Sequence, residues 1–321
     1  MEKWFRIAAL CLLAGAPQAW AQNTGYPNKP IRWVVPFAPG GGTDMVARPV
    51  AAKLTERIGQ HILYDNRGGG GGAIAGDIVA KANPDGYTLL VAAVAVMTVT
   101  GSLQKLPFDP IKDFAPITKF AAVPNMLAAR TSHPIVKVQD IVGYARANPG
   151  KLRWALSGTG SAGTLSMELF RLNSGIDIVP IPYKGAGPAM IAVLGGEADL
   201  LFANPAVFMP HVTAGRLRAL GAASLQRISA LPDMPTFHES GFPGFESLSW
   251  YGLAAPARTP AAIVALLHKE TVAVLNQPDI IARITQDGGI PSGNTPQAFA
   301  QDIRNETAKW AKVIKDANIK N

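Results

Sequence analysis

Four times along this chain a short apolar run stops at a glycine-rich joint, and helical periodicity starts directly after it. The joints are "VVPFAPGGGTDMVAR", "NRGGGGGAIAGD", "LSGTGSAGTLSMELF" and "YKGAGPAM". Apolar, β-branched runs at 31–37, 61–64, 87–92, 154–156, 176–181, 200–202 and 217–222 read as strands. Between them, Val46, Val50, Leu54 and Ile58 recur every four residues until Gly59, and Leu165, Leu169 and Leu172 with Phe170 run up to Gly175. Pro188, Met190, Val193 and Leu194 mark a third helix, and Ile263, Leu266 and Leu267 a longer one. Strand–helix alternation of this kind dictates an α/β fold whose sheets are largely parallel and covered by helices. Two joints fall early and two later, so if each half forms a lobe, their helix starts can face each other across a cleft.

A strand's C-terminal end meeting a helix N-terminus leaves backbone amides without partners and points the positive end of the helix dipole at the gap. Open α/β sheets hold anions there. An ordinary tight turn explains any one such joint; four together favour an anion site. Catalytic machinery is missing. No Gly-Lys-Ser/Thr closes a glycine run, so there is no P-loop. Gly160-Ser161-Ala162-Gly163 resembles a nucleophile elbow, but Thr159 stands where that motif needs glycine. His61, His133, His211, His238 and His268 have no metal-ligand spacing. The pattern predicts binding, with no catalytic residue, no cofactor and no metal.

The first residues predict export. Lys3 and Arg6 precede "IAALCLLAGA" and the segment closes "AWA", a secretory leader with cleavage expected after Ala21. The single cysteine, Cys11, lies inside that leader, so disulfides and thiolate chemistry are excluded from the mature chain. The formal charge of +8 falls to +7 without the leader and is scattered, with no basic run of five. A nucleic-acid partner is therefore not expected, while a mild positive field favours small anions.

These residues resemble a known family. "YPNKPIRWVVPFAPGGGTDMVAR", "NRGGGGG", "ANPDGYTLL", "LPFDPIKDFAPI", "ANPGKLRWALSGTGS", "PYKGAGPAM", "GRLRALG", "LPDMPTFHESGFPGF", "WYGLAAPARTP" and "ETAKWAKVIKDANI" occur in the order found in the Bug family. That family comprises the extracytoplasmic solute-binding proteins of tripartite tricarboxylate transporters. The resemblance implies a two-lobed periplasmic binding protein of type II-like architecture, with a ligand cleft between lobes. Residues 26–125 with 252–321 would form one lobe and 126–251 the other, with crossings near Asn125 and Trp250.

By position, the resemblance makes Pro39, Gly40, Gly41, Thr43 and Asp44 the first-lobe clamp, although helix capping alone explains Thr43 or Asp44. Gly69, Gly70, Gly71, Gly72 and Ala73 become an amide nest beside it. Ser157, Gly158, Thr159, Gly160 and Ser161 approach from the second lobe, with Tyr183, Lys184 and Gly185 nearby and Asn204 at the far end of the ligand. A surface role for Lys184 and a turn role for Asn204 stay open. Thr164 and Pro180 stand where relatives often carry histidine, so selectivity is not transferable from them. The apolar "AAVAVMTVT" places Met97 either in the cleft, with Phe37 or Phe208, or in the core, which is the simpler account.

The expected partners are a small carboxylate and the permease subunits of a membrane transporter, with the binding protein a periplasmic monomer. Two rivals remain: a ligand sensor feeding a signalling receptor, and an exported hydrolase using Ser161 with a distant histidine.

Overall fold

The computed structural model describes residues 25–319 apart from 40, 159, 184 and 287. The expected leader with Cys11, and the site candidates Gly40, Thr159 and Lys184, lie outside the described residues. The chain begins with β1 (Ile31–Val35), α1 (Gly42–Ile58), β2 (Ile62–Asn66), a single 3-10 turn at Gly70–Gly72 and α2 (Ala73–Ala80). It continues through β3 (Thr88–Ala93), a π-turn at Ala95–Val99, α3 (Thr100–Leu103) and β4 (Phe114–Pro124). Next come β5 (Met126–Arg130), α4 (Val138–Ala147), β6 (Arg153–Leu156), α5 (Ala162–Ser174), β7 (Val179–Pro182), α6 (Ala186–Gly195), β8 (Leu200–Ala203), α7 (Pro205–Thr213) and β9 (Leu217–Ala222). The end is β10 (Leu248–Pro256), α8 (Ala261–Leu275), α9 (Pro278–Gln286), β11 (Ile290–Pro291) and α10 (Pro296–Asp316).

The strands form two sheets, ordered β11-β4-β10-β3-β1-β2 and β7-β6-β8-β5-β9. The sequence predicts mostly parallel sheets; the observed ones are mixed. β1 pairs parallel with β2 and β3, and β6 parallel with β7 and β8. The strands that carry the chain between sheets enter antiparallel: β4 and β10 in the first, β5 in the second. A strand that leaves one sheet and continues straight into the next, as β4 does through Asn125 into β5, has no helical crossover to turn it parallel. The two crossings lie side by side. Asn125 is 1% exposed, and its backbone and side-chain amides both donate to the Ser247 carbonyl, at 3.1 and 3.0 Å.

Each sheet is buried on both faces, which is why its central strands read as unbroken apolar runs. Val46, Val50 and Leu54 turn one face of α1 into the first core, and Gly59, at φ 67°, ends that helix with its N–H on the Thr55 carbonyl. Trp33 stacks on Phe120 at 5.6 Å there. The second core gathers Trp154, Phe170, Phe202, Phe237 and Phe245. Met97 is fully buried in the first core and Phe208 in the second sheet's packing, so neither faces a cleft.

Behind the second sheet, away from the glycine joints, Asp199 is 2% exposed. It accepts from Arg153 Nη2 at 2.8 Å and the Arg153 backbone N–H at 2.8 Å, with His133 Nε2 at 3.5 Å. Burial alone would raise its carboxyl; the bonds from His133 and Arg153 outweigh burial and hold it well below the ordinary range. A depressed folded pKa supplies stability that is complete above the unfolded value of about 3.9 and disappears only as pH falls through the folded one. Asp199→Ala, which removes the acceptor shared by His133 and the partly exposed Arg153 guanidinium, is expected to cost about 1.5–3 kcal/mol in urea melts. The loss measured at pH 7 should shrink in strong acid, as the carboxyl is neutralised in the wild-type protein.

Candidate ligand-binding site

Where the two sheets' helices meet, two cavities adjoin, sharing Phe37, Ala95 and Ser161 in their walls. The inner one, about 190 Å3, is lined by Gly41, Gly42 and Thr43 at the start of α1 and by Ala162 at the start of α5. Ala93, Val94, Ser249 and Tyr251 complete it. The outer one, about 210 Å3, is lined by Gly70, Gly71, Thr100, Leu103, Gln104, Ser157, Gly158 and Gly160. Neither contains a Lys, Arg, His, Asp or Glu among the described lining residues.

The inner compartment is built from two helix ends. Gly41 caps α1 without any side-chain cap, and the Asp44 and Met45 amides turn back to its carbonyl. The first amides of α1 therefore have no partner within the helix. The expected capping by Thr43 or Asp44 does not occur, because Gly41 is the cap and the helix begins at Gly42, which places both inside its first turn. Thr43 hydroxyl makes no hydrogen bond among the described residues and lines the cavity. Asn204 reaches across from α7, donating from Nδ2 to Tyr251 Oη at 3.1 Å and accepting from Ser249 Oγ at 3.1 Å. Burial pushes the Tyr251 phenol up, so it stays neutral; its hydroxyl accepts from Asn204 and also has Ser249 within hydrogen-bonding reach.

At α5, the hydroxyls form a directed chain. Ser161 Oγ donates to Thr164 Oγ1 at 3.0 Å, and Thr164 Oγ1 donates to the Gly158 carbonyl at 2.9 Å. Ser157 Oγ, 2.8 Å from Ser161 Oγ, must then be the donor in that pair. Ser161 also accepts from the Thr164 amide as the helix cap. With its proton committed toward a backbone carbonyl and no histidine bonded to it, Ser161 is a capping residue and not a nucleophile.

The outer wall depends on residues that sequence reasoning missed. Gly70, Gly71 and Gly72 all adopt positive φ, at 57°, 64° and 96°, which only glycine takes without strain. Gln104 Nε2 donates to the Gly70 carbonyl at 2.8 Å and Thr100 Oγ1 to the Gly71 carbonyl at 2.9 Å, holding that turn against α3. Their one signal was the apolar stretch ending at Thr100; Tyr251 lay unremarked inside "WYGLAAPARTP".

Of the expected site residues, the structure brings together Gly41, Thr43, Gly70, Gly71, Ser157, Gly158, Gly160 and Ser161 as cavity walls. Others line neither cavity. Pro39 is exposed and Gly72 is packed under Val96 and Pro36. Asp44 is buried with Arg48, 2.9 Å away, and Asn66. Gly69, Ala73, Tyr183 and Gly185 flank the joints, and Asn204 lies beside Tyr251 over Gly42 at the start of α1.

The fold and this site define a two-lobed receptor for a small solute. The profile of the tripartite tricarboxylate transporter family receptor matches residues 46–319. BugT of Bordetella pertussis is 33% identical, covering 92% of this chain and 91% of that protein. A Rhodopseudomonas palustris structure with adipate superimposes at TM-score 0.84 and 37% identity, covering 92% of this chain and 99% of the other. MatC of the same organism, with bound malate, gives 0.80 and 33%, covering 90% and 100%. The chain belongs to the Bug family of tripartite tricarboxylate transporter receptors, and is a solute-binding protein rather than an enzyme. Among the described residues, no helix is long and apolar enough to cross a membrane.

Proposed function

We propose that this protein captures a small organic acid by its carboxylate between two lobes, 26–125 with 252–321 and 126–251, and delivers it to the permease of a tripartite transporter in the periplasm. The observation that carries this reading is the inner compartment. The uncapped start of α1, the start of α5 and the hydroxyls of Thr43 and Tyr251 converge on one small space. Bare amides and neutral donors aimed at one point suit an oxyanion, and two helix dipoles favour its charge. Adipate and malate in the relatives' structures are acids of this class. Closure follows from differential affinity: each lobe supplies half of the donors, so the bound acid favours the state in which both are within reach.

A thermal-shift panel of mono-, di- and tricarboxylates against neutral amides tests the reading. An acid at a hundredfold over its Kd adds about 2.7 kcal/mol, a rise of several degrees. Shifts by neutral solutes and by no acid would refute it. Mass spectrometry of the exported protein is expected to show Gln22 as the first residue; a chain retaining its leader would count against periplasmic delivery.

A further inference from the structure

We infer that the cleft selects a hydroxy acid, whose hydroxyl group donates a hydrogen bond to Ser157. This rests on the carboxylate reading of the inner compartment and adds a second, uncharged point of recognition. The direction of the hydroxyl chain at α5 carries it. A carbonyl only accepts, so the single Thr164 proton is committed to the Gly158 oxygen at 2.9 Å. Ser161 must then donate to Thr164, and its own lone pairs are taken by the Thr164 amide and by Ser157. Ser161 is saturated. Ser157 stands at the head of the chain: its proton goes to Ser161, and its lone pairs receive no hydrogen bond among the described residues. Half-buried, it lines the outer compartment as an acceptor and not as a donor.

A ligand hydroxyl at Ser157 adds one hydrogen bond and breaks none. A ligand carbonyl oxygen at the same place must draw the Ser157 proton away from Ser161. That leaves two serine oxygens 2.8 Å apart with no hydrogen between them, so the exchange gains nothing. An ammonium group also donates, but no Asp or Glu stands among the described residues of either wall, and the starts of α1 and α5 present their positive ends. A hydroxy acid is therefore favoured over an oxo acid and over an amino acid. The polarity of the chain is set by Thr164, which is buried and lines neither cavity. It is a positioning residue, acting on the ligand through the two serines.

Calorimetric titration of the mature protein with two matched pairs decides the matter: α-hydroxyvalerate with α-ketovalerate, and γ-hydroxyvalerate with levulinate. In the pair whose oxygen reaches Ser157, the hydroxy acid is expected to bind about fivefold more tightly, the scale of one net hydrogen bond. Ser157→Ala should bring that pair to near equality. Thr164→Val removes the end of the chain, so Ser161 can turn its proton to Ser157 and release the Ser157 proton to the cleft. The preference should then shrink or invert toward the oxo acid. A purely structural Thr164 would weaken both members alike; an unchanged ratio in Thr164→Val would overturn the inference. So would an oxo acid bound as tightly as its hydroxy acid in both pairs of the wild-type protein. If none of the four acids binds, the carboxylate anchor itself fails, and this inference with it.

Discussion

Gly163→Ala is expected to lose about 3 kcal/mol of stability or more, the upper range for forcing volume into a close-packed site. A methyl group at Gly163 would lie 2.2 Å from the Phe202 carbonyl oxygen and 3.1 Å from its carbon. Those are backbone atoms of β8 at the centre of the second sheet, not the end of a side chain that can swing away. Helix α5 would have to lift off the sheet, carrying the Ser161 cap and the Ala162 wall with it, so binding should fall together with the urea midpoint. Gly143→Ala is the matched control. It sits on the exposed face of α4 with nothing within 4 Å of an added methyl group, and should gain about 1 kcal/mol from helix propensity. A Gly163→Ala protein as stable as wild type would mean that α5 is not seated on β8 as described.

Gly42→Ala should do the reverse, sparing the fold and damaging the site. Its added methyl group would meet Tyr251 Oη at 2.5 Å and Asn204 Nδ2 at 2.6 Å, the two groups that join the second sheet to the return strand over the α1 N-terminus. Within α1 itself the substitution favours helix, so the melting temperature of the ligand-free protein should hold or rise. Making room displaces the Tyr251 hydroxyl from the inner compartment and pushes apart the two halves of the interface. Affinity for an acid should drop about tenfold, equivalent to 1.4 kcal/mol. Unaltered affinity would show that closure does not bring Asn204 and Tyr251 against α1.

Much of the architecture is legible in the residues. Central strands are buried on both faces, so apolar content marks them: 200–202 falls within β8, and 87–92 falls one residue from β3. Helix α1 ends at its glycine because Gly59 takes the left-handed conformation the residue type suits best. β4 and β10 are different. "FAPITKFAAVP" and "LSWYGLAAP" carry proline, serine and glycine, and their partners lie more than a hundred residues away. Tertiary register stabilises them where local propensity does not, and their antiparallel entry is what makes both sheets mixed.

The site was legible to the same degree and for the same reason. Glycine is needed wherever backbone approaches backbone or ligand, so Gly41, Gly70, Gly71 and Gly158 announce themselves. Thr100 and Gln104, which hold the Gly70–Gly71 turn, and Tyr251, which bonds Asn204 over the start of α1, are common residue types in ordinary settings, and only the folded arrangement gives them a role. Asp44 shows the converse. An acid at a helix start beside a glycine run looks like part of a clamp; in the fold its carboxylate also pairs with the half-exposed Arg48 and with Asn66, contacts no local pattern announces.

The most direct measurement is a calorimetric titration of the mature protein with a matched pair, hexanoate and hexanamide. The two differ little in shape and apolar surface, and chiefly in the charge at one end. The inner compartment is built around donors and helix N-termini, so hexanoate should bind and hexanamide should give no detectable heat, with the Gly42→Ala protein weakened toward hexanoate. Equal binding of both compounds would mean that the cleft reads shape and apolar surface alone, contradicting carboxylate capture between the lobes.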